Sequence, residues 1–123
     1  MSIERVRRYL KQFGLEQNVI ELEQSSATVE AAAEALGCEP ERIAKTISLY
    51  GTDGILLLVT AGDTKIDNQK FKERFKTKAK MVSLDEVERL TGYAPGGVCP
   101  FDTWDGVTVY LDESLKRFET VYP

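Results

Sequence analysis

Two apolar stretches lie only four residues apart, and that spacing decides most of what the chain can fold into. Residues 42–50 read R-I-A-K-T-I-S-L-Y, rich in β-branched and aromatic side chains and free of Gly and Pro. Residues 55–61 read I-L-L-L-V-T-A, and only Gly51, Thr52, Asp53 and Gly54 stand between them. A connection that short joins antiparallel strands, because a parallel pair needs a long crossover. The sheet is therefore not all parallel. The second strand is apolar on both faces, the mark of a central strand covered on both sides. In the first, Ile43, Lys45, Ile47 and Leu49 share one face, and Ala44, Thr46, Ser48 and Tyr50 the other. Lys45 thus stands within an apolar row. Its ammonium either reaches past the sheet to solvent or meets polar groups in a cavity.

The rest of the chain mixes helices with short strands. Residues 2–13 keep helical spacing at Ile3, Val6, Leu10 and Phe13, with Gly14 as a stop. Residues 18–22 are a short strand candidate. Thr28 can cap a small-residue helix that Gly37 ends, and Ala31, Ala32, Ala33 and Ala35 let it pack closely on a sheet. Asp67 can cap a helix from Asn68 to Phe75, with Phe71 and Phe75 buried. Residues 79–82 suggest another short strand. Ser83 to Glu86 form a capping-box pattern, opening a helix that turns Leu84, Val87 and Leu90 inward. Residues 107–111 read as a strand and 114–118 as a short helix. The 123 residues contain no repeat or linker, so one domain over 1–123 of the α/β (α+β) class is expected.

Charge and composition exclude several chemistries. There is no histidine, which removes Ser-His-Asp and Cys-His catalysis and histidine metal ligands. No metal or cofactor is called for. Cys38 and Cys99 form no C-x-x-C pair and read as free thiols. The N-terminus lacks the apolar core of a signal peptide, and no apolar run approaches the ~20 residues of a membrane span. A cytoplasmic protein with no membrane partner is expected. The net charge of −4 argues against general nucleic-acid binding. It is uneven, however. Between Lys65 and Lys80, seven basic residues oppose only Asp67 and Glu73, a local +5 that leaves −9 elsewhere. That stretch is either a solvated face or a phosphate-binding patch, with Lys65, Lys70, Lys72 and Arg74 as its candidates.

Residues 91–102, T-G-Y-A-P-G-G-V-C-P-F-D, form a second informative stretch. Structureless loops of this length are usually functional or disordered. Gly96 and Gly97 let the backbone approach a ligand, and successive N–H groups can cradle an anion or oxyanion. Cys99 lacks a histidine base, so a packed small residue fits it better than a nucleophile.

Taken together, I-A-K-T-I at 43–47, T-A-G-D at 60–63 and T-G-Y-A-P-G-G-V-C-P-F at 91–101 resemble the YbaK / prolyl-tRNA-synthetase-associated (INS-like) editing-domain family. The three motifs occur in the family's order, and the likeness covers nearly the whole chain. It implies a mixed, curved, partly barrel-like β-sheet with surrounding helices. It also implies trans-editing, the hydrolysis of the ester joining a wrong amino acid to the 3′ adenosine of a tRNA. Partners would be mischarged aminoacyl-tRNA and an aminoacyl-tRNA synthetase. The family lysine falls on Lys45, and its G-G-x-S-P loop on Gly96, Gly97, Val98, Cys99 and Pro100. Cys99 stands where Ser is common, and Asp102 where Gly often follows Phe101. Many relatives continue past Val121-Tyr122-Pro123, so a domain lacking their C-terminal segment is expected.

On this reading Lys45 and the N–H groups of Gly97 and Val98 are the catalytic set. Thr46, Gly96, Cys99, Pro100 and Phe101 would contact substrate. The alternative is a non-catalytic module that binds aminoacyl-tRNA or a small acyl ligand. Thiol-redox chemistry at Cys99 is a third, and would need a depressed thiol pKa.

Overall fold

The computed structural model describes residues 2–21 and 28–123. Strands β1 (Ala44–Tyr50) and β2 (Ile55–Ala61) form the expected antiparallel hairpin, in register from Tyr50 opposite Ile55 to Ala44 opposite Ala61. Strand β3 (Val107–Leu111) pairs with β2 in parallel, giving an open three-stranded sheet in the order β1-β2-β3 among the described residues. The fold is thus a mixed α/β one. Barrel-like closure is not part of what these residues form.

Central placement explains why β2 carries almost no polar residue. Leu56, Leu57, Val59, Thr60 and Ala61 are all buried, and successive residues face opposite sides. On one side Leu49, Leu56 and Phe71 form a cluster, joined by Ile47, Leu58, Phe75 and Tyr110. Burying one such side chain contributes roughly 1.5–3 kcal/mol. Phe71 and Phe75 come from helix α3 (Asn68–Phe75), whose ring centroids lie 4.6 Å apart; Phe75 meets Tyr110 edge-on at 4.8 Å. The Asp67 side chain caps α3 by accepting from Lys70 N–H at 3.0 Å.

Helix α1 spans Ser2–Lys11 and α2 spans Val29–Leu36. Thr28 caps α2, its hydroxyl accepting from Ala31 N–H at 3.1 Å, and Gly37 ends it at φ +69°. Ala32 and Ala33 then pack on Ile43 with no bulk between the elements.

Several local expectations yield to tertiary context. The first strand begins at Ala44; Ile43 makes only an isolated parallel bridge to Tyr122. Residues 18–21 form no strand, since a 3-10 turn over Glu16–Asn18 occupies the start; Leu22 lies outside the described residues. Residues 79–82 contribute one bridge, Met81 to Leu49, because only Tyr50 N–H and Ser48 C=O face them. Helix α4 (Val87–Thr91) begins later than the capping box implies. The Glu86 side chain does not reach back to Ser83 N–H, although the Glu86 N–H donates to the Ser83 carbonyl at 3.0 Å. Its carboxylate accepts from Tyr50 Oη at 2.8 Å and from Arg89 at 2.6 Å. Leu84 consequently lies outside the helix and is 75% exposed, while Val87 is buried as expected. The apolar row of β1 is not its sole buried face either, for Ala44 and Ser48 opposite it are also covered.

Candidate functional site

Lys45 lies beside the turn that ends β2. Its Nζ donates to the Gly62 carbonyl at 3.3 Å, and the side chain is half-buried. An ammonium has three donors. The other two have no protein acceptor among the described residues, and no carboxylate pairs with Lys45 there. The Gly62 turn is itself tightly packed. A Cβ at residue 62 would fall 2.1 Å from the Pro40 carbonyl oxygen and 2.8 Å from Val29 Cγ1. Ser114 Oγ accepts from Ala61 N–H at 3.0 Å, and Arg117 binds the Asp63 carboxylate through two nitrogens. That guanidinium holds the Asp63 carboxyl below its usual range. Asp63 is therefore a structural anchor for the turn on which the Lys45 head group rests.

The pairing of β1 with β2 is unbroken by any bulge, so Thr46 turns its side chain to the face opposite Lys45. A regular strand is expected to keep Thr46 out of the pocket that Lys45 faces unless a twist or bulge intervenes, and this register is regular.

The glycine-rich loop opens on a tight turn. Pro95 and Gly96 occupy the centre of a tight turn, with Gly96 at φ +82°, the signature of a type II turn. Gly97 N–H closes that turn on Ala94 C=O at 2.9 Å. One of the two supposed oxyanion donors is thus already committed, whereas Val98 N–H has no backbone partner among the described residues. Cys99 and Tyr93 both direct their hydrogens at the Phe101 carbonyl, the sulfur at 4.0 Å and the phenol closer. Burial pushes the Cys99 thiol up, against smaller opposing effects of Tyr93 and the Phe101 backbone. A protonated, partly buried thiol suits packing and opposes the thiol-redox reading.

Arg5 of α1 fastens this loop. Its Nε donates to Asp102 Oδ2 at 2.9 Å, Nη1 to Gly92 C=O at 3.1 Å, and Nη2 to Asp102 C=O. The guanidinium also lies over the Tyr93 ring, 4.4 Å from its centroid. Asp102 adopts φ +50°, a conformation that Gly takes freely and Asp tolerates better than most. This accounts for an Asp at a position where Gly would be expected. The ion pair gives Asp102 a compensating contact. Sequence reasoning missed Arg5, which is separated from Asp102 by 97 positions. The only available signal was the charged residue in a glycine position.

No hydrogen bond links Lys45 to residues 96–101 among the described residues. The two parts of the expected site are anchored separately, one at the Gly62 turn and one on α1. Lys65, Lys70, Lys72 and Arg74 are all exposed. Lys72 joins Lys78, Asn68, Gln69 and Ala79 around an open cleft of about 500 Å³. Arg74 instead lies against Phe75 and Tyr110, 5.2 and 5.5 Å from their ring centroids. Among the described residues no group of three or more Cys, Asp or Glu side chains could hold a metal, and no helix is long and apolar enough to cross a membrane.

The model of the aminoacyl-tRNA editing domain family matches residues 23–123. The chain is 51% identical over its whole length to YwhH of Bacillus subtilis strain 168, an uncharacterised protein of which it covers 79%. It is 31% identical over 96 residues to EbsC of Enterococcus faecalis, named as a candidate Cys-tRNA(Pro)/Cys-tRNA(Cys) deacylase; 76% of this chain and 58% of that protein are covered. Among solved structures, a candidate trans-editing enzyme for prolyl tRNA synthetase superposes with a TM-score of 0.84 at 32% identity, over 95% of this chain and 75% of that one.

Proposed function

Because the chain belongs to the aminoacyl-tRNA editing domain family, we propose that it is a single-domain deacylase that hydrolyses the ester of mischarged aminoacyl-tRNA. The observation that carries the site assignment is Lys45: a half-buried ammonium, fixed by one backbone carbonyl, with two donors free for a ligand among the described residues. In the reaction, water adds to the ester carbonyl, and the bond to the ribose oxygen of the 3′ adenosine breaks. A free amino acid and an uncharged tRNA result.

Lys45 binds ester or ribose oxygens through charge-assisted hydrogen bonds. Val98 N–H supplies a donor to the developing oxyanion, and Gly97 N–H a second one when its turn opens. Gly96, Cys99, Pro100 and Phe101 shape the wall beside the acyl group. With no histidine, the water is oriented by backbone groups and by the substrate itself. The exposed cations of α3, with Lys65 and Lys78, take acceptor-stem phosphates, so binding weakens steeply with salt. The likeness to a trans-editing enzyme for prolyl tRNA synthetase supports such a synthetase as a partner and its tRNA as the carrier.

One observation favours a second reading, a module that binds aminoacyl-tRNA without hydrolysing it. Gly97 N–H is committed within its turn, leaving the oxyanion site short of a donor. The test is turnover on a panel of alanyl-, seryl-, cysteinyl- and threonyl-tRNAs, with Lys45→Ala alongside. Loss of one positioned donor costs ~2.7–4 kcal/mol of barrier, so the variant should fall roughly 100- to 1,000-fold. A folded variant with unchanged turnover removes Lys45 from the site. Stoichiometric protection without turnover establishes the binding module.

A further inference from the structure

We propose that Trp104 is a stacking platform for an unpaired nucleobase at the 3′ end of the bound RNA, an inference that rests on the deacylase reading for its ligand. Trp104 is the only tryptophan of the chain, and 47% of it is exposed. A tryptophan is ordinarily among the most buried side chains on average, so a half-exposed one held in place requires a reason.

The seat of the ring is specific. A Cβ on Gly92 would lie 2.6 Å from Trp104 Cε2, 2.8 Å from Cζ2 and 2.8 Å from Arg5 Nη1. The indole therefore rests on bare glycine backbone at φ +82°, with the guanidinium alongside. The Trp104 carbonyl accepts from Val107 N–H at 3.1 Å, which ties the residue to the first position of β3. The same Arg5 holds Asp102 and Tyr93, so the ring belongs to the clamp that fixes the glycine-rich loop.

The size and chemistry of the ring point to its occupant. Asp102, Thr103 and Asp105 flank Trp104 in sequence, so no large apolar side chain adjoins it along the chain. One half-exposed ring is by itself too small to dock a protein face, which needs a contiguous apolar core. It matches one planar base, whose π-face stacks without regard to sequence.

The single tryptophan makes the test direct. Intrinsic fluorescence is titrated with a tetranucleotide RNA ending in C-C-A, and steady-state deacylation is measured for Trp104→Phe and Trp104→Leu. Stacking predicts quenching that persists when salt is raised. It also predicts KM increased about tenfold in Trp104→Leu with kcat little changed, and near-normal KM in Trp104→Phe. Absence of quenching by the RNA overturns the proposal, as does an unchanged KM in a folded Trp104→Leu enzyme. If the wild type turns over no substrate, the deacylase reading fails by itself; quenching by the tetranucleotide then still upholds the stacking site, and its absence still refutes it.

Discussion

Arg5→Ala is the most informative perturbation, because one side chain joins α1 to both ends of the glycine-rich loop. The Arg5 side chain is 21% exposed and that of Asp102 47%. An ion pair with one partner half in solvent contributes ~0.5–1 kcal/mol. The bonds to Gly92 C=O and Asp102 C=O contribute about 1 kcal/mol each, since both carbonyls recover water when the arginine is removed. The Tyr93 cation–π contact adds ~0.5–1 kcal/mol. The expected loss is about 3 kcal/mol, which for a domain of this size lowers Tm by roughly 10 °C. Thermal melting followed by circular dichroism measures it. Asp102→Gly is the companion variant. It loses the ion pair but relieves an aspartate from φ +50°, so its net cost should stay within ~1 kcal/mol. Arg5→Ala should then cost less in the Asp102→Gly background than in the wild type, because part of its contribution has already gone. A Tm change of under about 2 °C for Arg5→Ala would refute the clamp as a source of loop stability.

The Gly62 turn and the thiol give two further expectations. Gly62→Ala places a Cβ against the Pro40 carbonyl, a backbone atom that cannot swing away, so urea denaturation should show a loss of ~1–3 kcal/mol. Gly97→Ala, whose Cβ would meet only Ala94 O at 3.5 Å, should stay within ~0.5 kcal/mol; equal effects at the two sites would contradict the packing described. In a Cys38→Ser background, Cys99 should react with a disulfide reagent about tenfold more slowly than free cysteine near pH 8. Its rate should keep rising past the ordinary thiol value of 9.0, because burial disfavours the thiolate. A rate that levels off below neutral pH would show a stabilised thiolate and revive a reactive role for Cys99.

Local chemistry was legible wherever a neighbour within four residues settles the conformation. Thr28 and Asp67 cap their helices with their own side chains, and Gly37 stops one at positive φ. The Gly51–Gly54 connection forces the hairpin, and the doubly apolar β2 becomes the central strand. Lys45 within an apolar row was visible from period-two alternation alone. The same rule separates Thr46 from it, provided the strand carries no bulge. Only the folded register supplies that condition.

Where a distant partner competes, the sequence could not decide. The capping box at 83–86 fails because the Glu86 carboxylate finds Tyr50 and Arg89 instead, and Leu84 is left outside. Gly97 was readable as a donor but not as a donor already spent on Ala94. The parallel pairing of β3 with β2 depends on how the intervening 62–106 segment crosses the sheet. The Arg5 clamp joins residues nearly the length of the domain apart, and the seat of Trp104 on Gly92 closes a loop that has no helix or strand of its own. Caps, turns and alternation are fixed by contacts of short loop closure, which each segment satisfies alone. Ion pairs across the domain exist only after the core has brought their backbones together.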